Sequence, residues 1–140
     1  LLARAGTGDQ PYGLHPLMYE PELKKLASSP SATIGAHSVT QSAISALSKE
    51  QQKEEKFTAK KNLEEITCTG VSIFSYPSCR KQDYDRTSIQ LCQEAGFLKT
   101  AANFPGQFHR WTDPFQIPRH LVRNWPVNRF AAELKGFWTR

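Results

Sequence analysis

The residues with the clearest chemical character are aromatic rings and arginines that alternate near the C-terminus. Nine of the fifteen aromatic residues, including all three Trp, lie between residues 97 and 140. Such rings fill pockets on protein partners, while an arginine makes paired hydrogen bonds to a carboxylate. The same residue types can stack on bases and bind phosphates of RNA, or pack into the protein's own core. The sequence favours protein binding, and the predicted partner-binding residues are Phe104, Phe108, Arg110, Trp111, Phe115, Arg119, Arg123, Trp125, Arg129, Phe130 and Trp138.

Three features of residues 97–140 favour protein over RNA as the partner. The basic excess is small, with seven Lys or Arg against two acids. Lysine is scarce there, with only Lys99 and Lys135, whereas phosphate binding usually recruits both basic residue types. Prolines divide the segment into short extended pieces, which suit a chain lying along a surface. RNA stays open as the alternative, because organelle ribosomal proteins contact both protein and RNA.

Motifs that could support catalysis are weak in this sequence. Gly6-Thr7-Gly8 is not followed by the Gly-Lys-Ser/Thr of a phosphate-binding loop. Acid–base chemistry near the aromatic region could use only Asp83, Asp85, His109 or Asp113, and their spacing singles out no pair. The sequence therefore predicts a protein that is not an enzyme, with no catalytic residues, no cofactor, no metal and no small-molecule substrate.

The cysteines and histidines do not form a recognisable metal or disulfide pattern. Three cysteines, at Cys68, Cys79 and Cys92, are separated by ten and twelve residues, too far apart for a close zinc pair. An odd number argues against a disulfide framework, and a single Cys79–Cys92 bond is left open. The four histidines are scattered. Reduced structural thiols are the favoured interpretation.

The expected fold is mainly α, with extended, irregular segments, two to four short helices, long proline-spaced arms and little independent core. Leu, Ile, Val and Phe together make up 30 of 140 residues, just above the level at which a chain can bury enough apolar surface to fold. Four parts are distinguished: an extended N-terminal arm over 1–31, a Ser/Ala-rich linker over 32–47, a helical segment with one short strand candidate over 48–100, and an aromatic and arginine-rich anchoring segment over 101–140.

Capping patterns and periodicity predict individual elements. Ser48 and Gln51 form a capping box that opens a helix over residues 48–66, and its polar run from 49 to 56 is interpreted as an exposed face. Residues 68–76 are a short strand candidate, which needs a sheet elsewhere. A second helix is predicted over 85–96, with a capping box at Thr87 and Gln90. A third is predicted to open at Pro126.

The predicted function is that of a non-enzymatic accessory or structural subunit of a large assembly. The opening Leu1-Leu2-Ala3-Arg4 resembles the remnant of an organelle targeting segment, so a mitochondrial complex and mitochondrial localisation are the first choice. The expected partners are several protein subunits of that assembly, and no membrane span is predicted. A microtubule-associated or microtubule inner protein of the ciliary axoneme is one alternative, and an RNA-binding subunit of an organelle ribosome is the other.

Overall fold

A computed structural model describes residues 18–77 and 82–138. Four α-helices and two β-strands form in this part of the chain, with one short 3-10 helix ahead of the second α-helix. In chain order they are α1 (Glu20–Ala27), the 3-10 helix (Ile44–Ala46), α2 (Lys49–Thr67), β1 (Ile73–Ser75), α3 (Arg86–Glu94), β2 (Lys99–Ala101) and α4 (Val127–Trp138). No helix among these residues combines the length and apolar character needed to cross a membrane.

The two strands pair in parallel and lie at the centre of a small sheet. Ile73 lies opposite Lys99, and the chain crosses from β1 to β2 through α3, as parallel pairing requires. Two single-residue bridges widen the sheet, since Ala36 pairs with Phe74 and Ile117 pairs with Ala101, both in parallel. The sheet therefore has the order Ala36, β1, β2, Ile117, and all four segments run in the same direction.

A core of buried side chains lies between the sheet and helices α2 and α3, whereas α1 and α4 have no buried residue. Phe74 is fully buried, and its ring centroid lies 5.6 Å from that of Tyr76 and 5.2 Å from that of Phe97. Tyr76 also stacks on Tyr84, with centroids 4.3 Å apart. Small residues complete the packing, among them Ala59 of α2. Each buried aromatic contributes about 1.5–3 kcal/mol through removal of apolar surface from water.

The prediction of a mainly α chain with little independent core is therefore wrong. Residues 68–76 are predicted to need a strand partner, and within the described ranges that partner is not the next strand of a hairpin. The partner is parallel and arrives only after α3. Because β2 is the short, weakly apolar sequence Lys99-Thr100-Ala101, it carries almost no strand signal of its own. The core was underestimated because its rings come from separate segments that only the fold brings together.

The helix starts follow the capping rules, with one shift. The predicted box at the start of α2 is confirmed, because the Gln51 amide donates to Ser48 Oγ and the Ser48 amide donates to Gln51 Oε1. The predicted box for α3 is wrong, since Asp85 is the N-cap and accepts a 2.7 Å hydrogen bond from the Ser88 amide. Gly96 follows α3 with φ +77°, the left-handed conformation that glycine adopts without strain at a helix end.

The polar run at the start of α2 is not simply an exposed face. Gln52, Glu55 and Lys56 are all buried, with Lys56 fully so. They recur at helical spacing together with Ala59, so they share the side of α2 that faces the rest of the fold. Gln52 Oε1 accepts a 2.7 Å hydrogen bond from Ser88 Oγ of α3. The interpretation as a solvated face is therefore wrong for these three residues, which form a buried polar layer.

Replacing Lys56 with methionine is expected to stabilise the fold by about 1–3 kcal/mol at pH 7, the scale of an uncompensated buried polar group. Lys56 Nζ has one long hydrogen bond, 3.4 Å to the Gln52 carbonyl, and burial lowers the pKa of Lys56. Because the unfolded chain binds this proton more tightly, the gain is expected to shrink as the pH rises toward the ordinary lysine pKa of about 10.4. Urea unfolding of the wild type and Lys56→Met at several pH values measures this gain in the free energy of unfolding.

Lys53→Met is the matched control for this prediction. Lys53 lies on the exposed side of the same helix, so its replacement is expected to change the free energy of unfolding by less than about 0.5 kcal/mol. Equal effects of the two substitutions, or a gain at Lys56 that does not vary with pH, would show that burial of the charge is not the cause.

Candidate functional site

The direction of the four paired segments indicates where a site would form. All of them are parallel, so their carboxyl ends meet at one edge of the sheet, which is where ligands bind in folds built on parallel sheets. The side chains that follow these segments include His37 after Ala36 and Arg119 shortly after Ile117. Of these, His37 carries an imidazole, the side chain that most often serves as a general base or as a metal ligand in proteins.

The hydrogen bonding of His37 leaves one ring nitrogen available. His37 Nδ1 lies 2.8 Å from the backbone carbonyl oxygen of Ser75 in β1. A carbonyl oxygen only accepts, so Nδ1 carries the hydrogen and donates it. In the neutral ring Nε2 then holds a lone pair, which can accept a proton from water or bind a cation. The ring is half-buried, and it is therefore both oriented by the sheet and open to a ligand.

The turn that follows His37 has an unusual backbone and is held from α2. Ser38 and Gln41 both have φ of 59°, a region that side-chain-bearing residues rarely adopt and that costs about 1–3 kcal/mol each. Glu55 Oε2 accepts from the amides of Val39 at 2.7 Å and Thr40 at 2.9 Å, and its Oε1 accepts from Thr40 Oγ1 at 2.8 Å. The carboxylate of one buried helical residue thus fixes the backbone beside the histidine.

The electrostatics of Glu55 are consistent with an ionised carboxylate. Burial by itself would raise the pKa of Glu55, but the hydrogen bonds from Thr40 and Val39 together with the nearby charge of Lys56 bring that pKa below its ordinary value. The carboxylate is therefore charged at neutral pH. A charged acceptor makes stronger hydrogen bonds to these donors than a neutral one would.

Ser75 adds a second polar group next to the histidine. Its carbonyl accepts from His37, while its side-chain Oγ is buried and has no hydrogen-bond partner in the described part of the chain. A buried hydroxyl without a partner is uncommon in folded proteins and usually indicates a bound water or ligand atom. Ser75 therefore combines a carbonyl that orients His37 with a buried hydroxyl whose hydrogen-bonding capacity is unused.

A metal site needs a group of ligands, and the described residues do not supply one. Metal ions that activate water in proteins are held by several His, Asp, Glu or Cys side chains. Among residues 18–77 and 82–138, no three such side chains come together. His37 by itself fits the role of one ligand, so this part of the chain does not provide a metal site on its own.

Three of the predicted partner-binding residues contact the core or the end of the sheet. Phe104 and Phe115 are half-buried and pack against the core. Arg119 Nε donates a 2.9 Å hydrogen bond to the Ala102 carbonyl, just beyond β2. These contacts link the segment after β2 to the sheet.

The other predicted residues lie mainly at the surface. Phe108, Trp111, Phe130 and Trp138 are exposed, as are Arg110, Arg123 and Arg129, while Trp125 is half-buried. Two arginines lie over rings, with Arg110 5.8 Å from the Trp111 centroid and Arg129 5.4 Å from that of Trp125. None of the hydrogen bonds that hold His37 and its turn involves any of the eleven residues. Their role in binding a partner stays a prediction.

The acid–base candidates from the sequence have local structural roles. Asp85 caps α3, and Asp113 accepts hydrogen bonds from the Phe115 amide and from Gln116 Nε2, both at 2.8 Å. His109 stacks on Trp111, with centroids 5.1 Å apart. Sequence reasoning passed over His37 because it lies within residues 32–47, which were interpreted as a linker. The available signal was Ile34-Gly35-Ala36, a short apolar run that ends directly at the histidine.

Comparison with known proteins gives one family and a set of similar folds. A family model described as polysaccharide deacetylase matches residues 11–99. A Streptococcus pyogenes deacetylase solved with acetate is 16% identical, with a TM-score of 0.73, covering 86% of this chain and 52% of that one. A polysaccharide deacetylase from Bacillus cereus is 20% identical, with a TM-score of 0.70, covering 87% and 38%. The deacetylase domain of a Bordetella bronchiseptica protein is 19% identical, with a TM-score of 0.72, covering 86% and 56%.

The matched structures are longer than this chain, and the family match changes the function predicted from the sequence. The chain spans 38–56% of the length of the three structures, and no curated protein matches it significantly. The prediction of a non-enzymatic accessory subunit, whether of a mitochondrial complex, an axoneme or a ribosome, is wrong, because a family of enzymes matches the chain. The same match contradicts the prediction that there is no small-molecule substrate. Mitochondrial localisation is not tested by these matches and stays a prediction.

Proposed function

The chain belongs to the polysaccharide deacetylase family, and from that premise we propose that it takes part in the hydrolytic removal of acetyl groups from a polysaccharide. The observation that carries the proposal is His37, which lies at the carboxyl edge of the parallel sheet with its Nε2 available. The proposal also draws on the similarity in fold to a deacetylase that was solved with acetate, the product that such a reaction releases.

The reaction needs an activated water, and a histidine can provide the activation. The water oxygen attacks the carbonyl carbon of the acetyl group, and the bond from that carbon to the sugar nitrogen or oxygen breaks. Acetate leaves, and the sugar keeps a free amine or hydroxyl. His37 Nε2 accepts the proton that the attacking water loses, and the imidazolium returns a proton to the departing sugar atom. General base catalysis of this kind contributes about 10²–10⁴-fold in rate.

The Ser75 backbone is placed to orient the His37 imidazole. The Ser75 carbonyl keeps the imidazole in the tautomer that leaves Nε2 unprotonated. This contact comes from the backbone of β1, a rigid element, which suits a site that must hold its geometry.

Acetate release tests the proposed function directly. The full chain is incubated with N-acetylated and O-acetylated polysaccharides, and free acetate is quantified against the same polymers after chemical deacetylation. We expect acetate to accumulate in proportion to protein concentration on at least one acetylated polymer. No acetate above the deacetylated blank on either class of substrate would contradict the proposal.

Polysaccharide binding without hydrolysis is the second candidate function. The observation in its favour is that the described residues bring a single imidazole to the site and no group of three ligating side chains. Co-sedimentation with insoluble polysaccharide separates the two functions. Binding that depends on acetylation but yields no acetate would favour the second candidate.

A further inference from the structure

The backbone after His37 adopts a conformation that its own residues do not favour. The ladder of hydrogen bonds to β1 ends at Ala36, so His37 lies just beyond the last paired residue. Ser38 then has φ of 59°, in the left-handed region. A serine keeps this strained conformation only where surrounding contacts impose it. Something outside the turn therefore has to hold it, and the peptide that follows His37 depends on that contact.

Glu55, which belongs to α2, accepts three hydrogen bonds from this turn. Its carboxylate accepts from both the Val39 and Thr40 amides and from the Thr40 hydroxyl, at 2.7, 2.9 and 2.8 Å. Sixteen and fifteen residues separate these partners in sequence, so the contact joins α2 to the turn. Glu55 is itself 8% exposed, and a buried carboxylate is tolerated because these donors satisfy it. The turn and the carboxylate stabilise each other.

We propose that Glu55 is a positioning residue for His37: by fixing the turn from Ser38 to Gln41, its carboxylate sets the backbone that aims the imidazole at the substrate. The proposal rests on the deacetylase function proposed above. Without these bonds Ser38 returns to a negative φ and the peptide after His37 rotates. The Nδ1 contact to the Ser75 carbonyl is then lost. Glu55 touches neither substrate nor the reacting atoms, and it acts only through the backbone.

The closing experiment compares Glu55→Gln with Glu54→Gln in the full chain. Glu54 is the adjacent glutamate, exposed on the same helix, and among the described residues its side chain accepts a hydrogen bond only from Thr58. We expect Glu55→Gln to lower kcat for acetate release about 10–100-fold, the usual effect of losing a partner that orients a functional histidine, with KM nearly unchanged. Glu54→Gln is expected to keep the wild-type values. A loss that is equal in the two variants, or a loss confined to KM, would overturn the proposal.

Two measurements that do not depend on activity keep this test separate from the proposed function. Amide hydrogen exchange at Val39 and Thr40 is expected to accelerate about 10–100-fold in Glu55→Gln, as hydrogen bonds to a charged acceptor are lost. The protected Nδ1 proton signal of His37 in NMR spectra is expected to weaken or disappear. If the wild-type chain releases no acetate, these two signals still decide the proposal. An unchanged His37 signal in Glu55→Gln overturns it.

Thr40→Val provides a milder variant in case Glu55→Gln does not fold. It removes the hydroxyl bonds to Glu55 Oε1 and to Ser42 Oγ and keeps both amide bonds to Glu55. We expect a smaller decrease in kcat than for Glu55→Gln, about twofold to tenfold, with a matching partial loss of the His37 Nδ1 signal. Wild-type kcat and a wild-type signal in Thr40→Val would contradict the positioning role.

Discussion

Replacing His37 with glutamine is expected to lower acetate release by about 10²–10⁴-fold, the contribution of a general base. Glutamine has a similar length, and its amide group reaches the position of imidazole Nε2, whereas the bond to the Ser75 carbonyl comes from Nδ1. The amide cannot accept a proton from water at neutral pH, so the substitution removes the proton acceptor and leaves a polar group of similar size in its place. The effect is expected in kcat, because the ground-state contacts of the substrate are retained. Initial rates over a range of polysaccharide concentrations measure it.

His109→Gln is the matched control for the first prediction. His109 is exposed and stacks on Trp111. No hydrogen bond joins it to the residues that hold His37 within the described ranges. Its replacement is expected to leave kcat within about twofold of the wild-type value. Equal losses in the two variants would remove His37 from its assigned role, as would full activity of His37→Gln.

Phe74→Ala is expected to destabilise the fold by about 3–5 kcal/mol, the cost of removing a large aromatic side chain from a packed core. Phe74 is fully buried at the centre of the sheet, where its ring contacts Tyr76 and Phe97. The substitution removes the transfer free energy of the ring and leaves a cavity that the strand cannot close. Urea unfolding measures the change as a lower midpoint with a similar slope.

Phe57→Ala is the matched control for the core prediction. Phe57 lies on α2 with 37% of its surface exposed, under the Lys53 ammonium. Its replacement is expected to cost about 1–2 kcal/mol, less than Phe74→Ala, since part of its ring already faces water. If Phe74→Ala cost no more than Phe57→Ala, the packed core between sheet and helices would be contradicted.

Local features of the fold were predictable from sequence where the signal is short-range. Ser48 and Gln51 predict the start of α2, because a capping box depends only on residues three apart. Gly96 predicts the end of α3 for the same reason, through its left-handed backbone. The helix that opens after Pro126 is likewise confirmed as α4.

The sheet could not be predicted in the same way, because its pairing is long-range. Phe74 pairs with Ala36 and with Thr100, which are 38 and 26 residues away in the sequence. β2 is three residues long and only one of its side chains is buried, so neither length nor alternation identifies it. A parallel partner also leaves no hairpin signal nearby.

The candidate site was missed because its residues look unremarkable one at a time. His37 stands in a stretch rich in Ser and Ala, and its significance comes from the strand ending before it and from the Ser75 carbonyl. Glu55 lies in a run of charged residues that is typical of a solvated helix face. Only the fold shows that this carboxylate turns inward and holds the histidine's turn.

NMR mapping of substrate binding on the isotope-labelled full chain tests the central claim most directly. An acetylated oligosaccharide is titrated in, with the same oligosaccharide after deacetylation as the comparison. The account predicts that the largest changes occur at His37, at Ser75 and in the turn through Thr40, and that they depend on the acetyl group. Changes confined to the exposed rings of Trp111 and Trp138, with His37 unaffected, would contradict a deacetylase site at this edge of the sheet.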